Sequence, residues 1–394
     1  MAGSPTIGTV EGPPAGHYWN TTLQYHSTLE YVKSPPSTYQ QPATDLIGSL
    51  QAIQDVIDSD GFENEYQFEA ALQSLLYSTH DAHVSFVAGV LSSFSFGSLN
   101  GLTSVSVDGV APPKVYFTDD LLLNQTDPNT SWEPSAVALI NGTNVYEYLT
   151  RFAALNSFGT LEPNADWNSL FESPVLDILD QFSVWGGDTT FYPGDVFNYT
   201  FENGTELQDE FLAVYDDSGP TGPLETGGDF YNFFVLGFYP ASYDTSVSSN
   251  ATDNATCQNF TSWGNSTQST AYPDPNIVQA DLGCSGYVTG YFLNDSDVAV
   301  LSLPTFWAVD NAIQTYSDAV QDFIDGAQAA GKTKIVIDLQ SNGGGDVLLV
   351  SYRDLRAPRV LLVKLTCMIF SYAYTVFKQF FTSIDPYAGS FRRA

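Results

Sequence analysis

Apolar positions Leu46, Ile47, Leu50, Ile53, Val56 and Ile57 recur at three- and four-residue spacing from Thr44 and stop before Gly61, which predicts a helix. A second helical pattern, Phe68, Leu72, Leu75 and Leu76, follows "NEYQ", where Asn64 and Gln67 suit a capping box. It runs out into "STHDAHVSF", where "VSF" reads as the start of a strand. Residues 1–100 therefore read as a mostly helical region. From Gly101 the texture changes to short alternating runs, "LTSVSVDGV", "PKVYF" and "SAVALINGTNVYEYL", separated by turn residues. With "DTTFYPGDVFNYTFENGTELQDEFLAVY" they predict a β-rich domain over 101–240. Residues 241–275 are rich in Ser, Thr and Asn and read as a glycosylated connector.

The pattern is clearest over 276–394. "DVAVLSLPTF" is an apolar strand, Asp310 is placed to cap a helix, and Ile313, Tyr316, Val320, Phe323, Ile324 and Ala327 share one helical face that stops at Gly331. "KIVIDLQ" is the next strand. Strand, helix and strand make a βαβ unit with parallel strands and an α/β core. The chain as a whole is an α+β / α/β multidomain protein. Ligand chemistry in such units gathers at the carboxyl ends of the strands, which is where "SNGGG" falls. Gly343, Gly344 and Gly345 let backbone N–H groups approach a ligand. A phosphate loop would continue Gly-Lys-Ser/Thr, whereas Asp346 follows here and opposes an anion. An oxyanion hole suits the triplet better, and a tight strand-to-helix turn suits it equally well.

Composition narrows the classes. The 394 residues carry a net charge of −33, which disfavours nucleic acid and anionic membranes as partners. Eleven Asn-x-Ser/Thr sequons, at Asn20, Asn124, Asn129, Asn141, Asn198, Asn203, Asn250, Asn254, Asn259, Asn265 and Asn294, exceed the roughly four expected by chance and point to an extracellular or secretory-pathway glycoprotein. Cys257 and Cys284 can close one disulfide, leaving Cys367 over. The start, "MAGSPTIGTV", has neither the basic nor the apolar region of a signal peptide, so the natural N-terminus is expected to lie elsewhere.

Of the four histidines, His80 and His83 stand together. Their spacing could hold zinc, but no further His and no paired Cys stand near them, so neither metal nor cofactor is expected. A buried, hydrogen-bonded role is the ordinary alternative for either ring. No Gly-x-Ser-x-Gly occurs, so a nucleophile elbow is absent from the sequence.

Taken together, "HDAH" and "DLQSNGGG" resemble the tail-specific (C-terminal-processing) serine peptidases, in the fungal secreted branch similar to chlamydial protease-like activity factor. The resemblance runs in order along the chain. "STLEYVKSPPSTYQQPATDLIGSLQAI" and "NEYQFEAALQSLLYSTHDAHVSF" resemble the helical N-terminal region, and "LTSVSVDGVAPPKVYFTDDLL" and "SAVALINGTNVYEYL" the degenerate PDZ-like domain. "VAVLSLPTFW" and "KIVIDLQSNGGG" resemble the start of an α/β catalytic domain, incomplete here. The resemblance implies a serine endopeptidase acting on polypeptides through a Ser-His-carboxylate acyl-enzyme. It gives His83 the role of general base and a backbone N–H of Gly344 or Gly345 a place in the oxyanion hole. In that family the nucleophilic Ser and the carboxylate come after the glycine motif. None of Ser351, Ser371, Ser383 and Ser390 suits the nucleophile, so the triad is expected to be incomplete in this chain. The alternative is a non-catalytic glycoprotein that binds peptides through the PDZ-like domain.

One stretch disturbs the pattern. Residues 1–352 hold five Lys and Arg, and residues 353–394 hold seven. The family pattern would run from "GGDVLLVSY" into "FKQFFTSIDPYAG", but Arg353–Val376 intervenes with foreign composition and the odd Cys367. It reads first as a retained intron or similar gene-structure error, with the true protein continuing past Ala394. A further core element comes second. A membrane span over Val360–Phe377 comes last, because Lys364 and Thr366 interrupt it.

Overall fold

The computed structural model describes residues 15–86, 89–106, 108–127, 129–179, 181–215, 224–238, 270–280, 286–308 and 311–345. They fall into two compact units: one runs to Glu172 and resumes at Phe182, and the other takes Ser173–Gln181 with the chain from residue 251. Cys257, Cys284, Cys367, Asn250, Asn254, Asn259, Asn265, Asp310 and the stretch 353–376 lie outside the described residues.

The first unit opens with helices α1 (Ala15–Leu23), α2 (Leu29–Lys33), α3 (Leu46–Asp58) and α4 (Glu65–Tyr77). Asp45 caps α3 by accepting from the Gly48 N–H, and Asn64 caps α4 by accepting from Gln67. The Gln67 side chain accepts from the Glu63 N–H, one residue before the cap, so the expected capping box is displaced by one position. Leu23, Val32, Leu46, Leu50, Phe68, Leu72 and Leu76 close one apolar cluster between these helices. That burial is what holds helices this short together, since isolated ones are marginal in water.

The β-rich part follows as β1 (Phe94–Ser98), β2 (Leu102–Val105), β3 (Lys114–Phe117), helix α5 (Thr118–Thr126), β4 (Val137–Ile140) and β5 (Thr143–Asn144). Helices α6 (Val145–Asn156) and α7 (Pro163–Asn168) come next, and strands β6 (Val196–Phe201) and β7 (Glu206–Tyr215) complete a five-stranded sheet ordered β1-β7-β6-β4-β5. Strands β2 and β3 pair separately. Its core gathers Leu102, Val115, Leu149, Trp185, Phe197 and Tyr199. Two expectations are corrected here. "NVYEYL" continues into helix rather than strand, because Val145, Leu149, Phe152 and Ala153 share a helical face buried on the sheet. Residues 84–86 are not strand; the backbone N–H of Phe86 is held instead by the Gln73 side chain at 3.0 Å.

The second unit contains α8 (Pro174–Ile178) and, after a short helix α9 (Gly227–Phe230) of the first unit, strands β8 (Ile277–Val278), β9 (Thr289–Phe292) and β10 (Val298–Ser302). Helix α10 (Asn311–Ala329) and strand β11 (Lys334–Asp338) follow. The sheet runs β11-β10-β9-β8. Strands β10 and β11 pair in parallel across α10, as the βαβ reading requires, while β9 pairs antiparallel to β10. Tyr316, Phe323, Ile324 and Ala327 of α10 are buried on the sheet with Ala299 and Leu301. Gly290 is needed there, because a Cβ would lie 2.5 Å from the Phe323 ring. The protein is thus an α+β multidomain chain.

Candidate active site

The histidine turn is built where α4 ends. The Thr79 hydroxyl donates back to the Leu76 carbonyl at 2.7 Å, and His80 adopts φ +52°, which turns the chain out of the helix. The His80 Nδ1 faces the Thr160 carbonyl at 2.9 Å and donates to it. Burial lowers the His80 pKa, with the Thr160 bond and the Asp166 charge opposing. His80 is therefore a half-buried structural ring that fastens the turn to the β-rich part of its unit.

His83 differs in every respect. Its side chain is 96% exposed, and its Nδ1 lies 2.8 Å from Asp81 Oδ1, which also accepts the His83 backbone N–H at 3.0 Å. Nδ1 is the donor in this pair, so the lone pair of the neutral ring sits on Nε2. Nε2 makes no bond among the described residues and faces solvent. The other carboxylate oxygen, Oδ2, lies 3.3 Å from Nε2 of His26, whose side chain is 8% exposed. His26 Nδ1 in turn accepts from the Thr28 hydroxyl at 2.9 Å. Partial burial alone would raise the Asp81 carboxyl, but the His83 backbone and ring, with His26 beyond, hold it below the ordinary carboxylate range.

The glycine turn belongs to the second unit and follows β11 directly. Ser341 takes φ +54°, and Asn342 donates from Nδ2 to the Leu303 carbonyl at 2.7 Å. Its Oδ1 accepts the Gly344 N–H at 2.8 Å, and the Gly344 carbonyl accepts from the Phe306 N–H at 2.8 Å. The three glycines are not equivalent. Gly344 and Gly345 have φ of +108° and +135°, and a Cβ at Gly345 would lie 2.3 Å from the Phe306 backbone, while Gly343 has open space around it. The Gly344 N–H is directed at Asn342 in this state, so its use as an oxyanion donor requires the Asn342 side chain to turn away.

His83 thus sits in the first unit and Gly344 and Gly345 in the second. Sequence reasoning singled out these three but missed His26 and Asn342. His26 lies 55 residues from Asp81 and carries no spacing signal. Asn342 could have been suspected from its place between a strand and a glycine run. Among the sequon residues, Asn129, Asn141, Asn198, Asn203 and Asn294 are exposed, and Asn20 and Asn124 are half-buried.

The family model for the CPAF-like PDZ domain matches residues 95–219. Peptidase S41 family protein phomP1′ of Diaporthe leptostromiformis is 28% identical over 330 residues, which cover 80% of this chain and 46% of that protein. Peptidase S41 family protein phomP1 of the same fungus is 27% identical over the same shares. Peptidase S41 family protein ustP of Aspergillus flavus is 38% identical over 81 residues, 20% of this chain and 16% of that protein. The chain spans about half the length of the first two relatives.

Proposed function

We propose that the chain, similar to S41 family peptidases over 80% of its length, supplies the general base and substrate-holding parts of a secreted serine endopeptidase of the tail-specific family. The observation that carries this reading is His83, an exposed imidazole anchored through Nδ1 with Nε2 turned to solvent. A base must offer its lone pair toward the hydroxyl it deprotonates while its other nitrogen is fixed. His83 Nε2 takes the proton of a Ser hydroxyl as that oxygen attacks a peptide carbonyl, then returns it to the leaving amine. The Ser comes from outside the described residues. The glycine turn supports the reading on the oxyanion side, with Gly345 the donor left free of Asn342. The PDZ-like domain holds an extended polypeptide by strand addition.

Fluorophosphonate labelling of the protein as its locus encodes it, with the spliced transcript read from the codon for Gly343 to the stop, tests this. The expected result is one labelled Ser, with labelling lost in His83→Ala. No labelling of the verified protein overturns the peptidase reading and leaves a peptide-binding glycoprotein, which a polypeptide-capture assay with the PDZ-like domain then detects.

A further inference from the structure

Resting on the reading of His83 as the base, we infer that Asp81 is the carboxylate that positions this histidine and that His26, backed by Thr28, holds Asp81 for the task. The direction of every hydrogen bond agrees with this. The Thr28 hydroxyl donates to His26 Nδ1 at 2.9 Å, which leaves the His26 proton on Nε2 to donate to Asp81 Oδ2 at 3.3 Å. Asp81 Oδ1 accepts the His83 Nδ1 proton at 2.8 Å. Each ring is thereby held in one tautomer by its partners, and the two tautomers are opposite: Nε2–H on His26, Nδ1–H on His83.

A carboxylate that only shaped the turn would need no more than the backbone bond from His83, at 3.0 Å. Asp81 does more: it grips the ring of His83 with the same oxygen and spends the other on a residue 55 positions away. His26 is a good anchor because its ring is almost fully buried and both of its nitrogens are bonded, so it is not free to rotate. His83 is almost fully exposed, and without Asp81 nothing among the described residues fixes its ring. When Nε2 accepts a proton, the positive ring stands against an ionised Asp81, which keeps its charge and passes no proton on. The carboxylate that fixes this ring among the described residues is local in sequence, two residues before it.

Nitrogen-15 NMR of the 394-residue chain, at a pH high enough for both rings to be neutral, tests this without any peptidase activity. The expected result is a protonated Nδ1 and a bare Nε2 for His83, and the reverse for His26. In Asp81→Ala no acceptor is left for His83 Nδ1, so the His83 pattern should move toward the mixture of a free imidazole. In Thr28→Val and His26→Phe it should drift toward the mixture of a free imidazole, with an unchanged thermal transition confirming that the helices have stayed folded; Thr28→Val keeps the test alive if His26→Phe does not fold. A free-imidazole pattern for wild-type His83, or an unchanged His83 pattern in Asp81→Ala, overturns the positioning role of Asp81. An unmoved His83 pattern in both Thr28→Val and His26→Phe overturns the role of His26. Failure of fluorophosphonate labelling would leave these spectra standing, so the two readings fail separately.

Discussion

Replacing Glu69 by Gln and following stability from a pH of about 4 to about 8 isolates one buried carboxyl of helix α4. Glu69 sits in α4 with 1% exposure, and its Oε2 accepts the Leu91 N–H at 3.1 Å. It packs so tightly under Gly89 that a Cβ there would lie 1.7 Å from Oε1. Burial, with the Glu65 charge adding, pushes it from the ordinary 4.5 up to about 7, against the Leu91 and Val90 N–H groups. The folded protein therefore holds this proton more tightly than the unfolded chain. The stabilisation is complete below pH 4.5 and is lost as pH rises through about 7. At about 1.4 kcal/mol per pH unit, the loss reaches roughly 3 kcal/mol. Gln keeps an oxygen for Leu91 and removes the titration. Urea unfolding of wild type and Glu69→Gln at each pH gives a difference in which the other titrations cancel. Wild type should lose about 3 kcal/mol relative to the variant between the two ends of the range. A difference that stays flat across it would refute the reasoning.

Other substitutions separate structural from chemical roles. Gly345→Ala should destabilise the second unit by about 2 kcal/mol or more, from its φ and the contact with Phe306, while Gly343→Ala stays within about 0.5 kcal/mol, both read from thermal melts. Asp166 is 3% exposed and accepts from the Gln41 amide at 2.7 Å, the Ser157 hydroxyl at 2.6 Å and both the backbone and hydroxyl of Thr160. Asp166→Ala strands those donors and should cost about 3 kcal/mol or more by urea unfolding. Asn64→Ala removes the α4 cap and should cost about 1 kcal/mol in the same assay.

The helices α3, α4 and α10 and the parallel pair β10 and β11 were legible because each buries one regular face, and a buried face leaves its period in the sequence. "VYEYL" was misread because aromatic and β-branched residues favour strands locally, and only burial against the sheet decides for helix. The displaced capping box went unseen for a similar reason: a Gln side chain reaches either of two neighbouring N–H groups, and the backbone path chooses between them.

The sequence by itself determined the order of helical, β-rich and α/β segments, the family resemblance, and His83, Gly344 and Gly345 as the residues to watch. These follow from local periodicity and short motifs, which a linear chain carries openly. Only the tertiary structure made His80 a fastener and His83 the exposed ring, since burial and the Thr160 carbonyl 80 residues away separate two histidines that look alike in "HDAH". It alone brought His26 across 55 residues to Asp81 and turned Asn342 onto the Gly344 N–H. Hydrogen bonds between side chains depend on distance and direction in space, and neither is written in spacing along the chain.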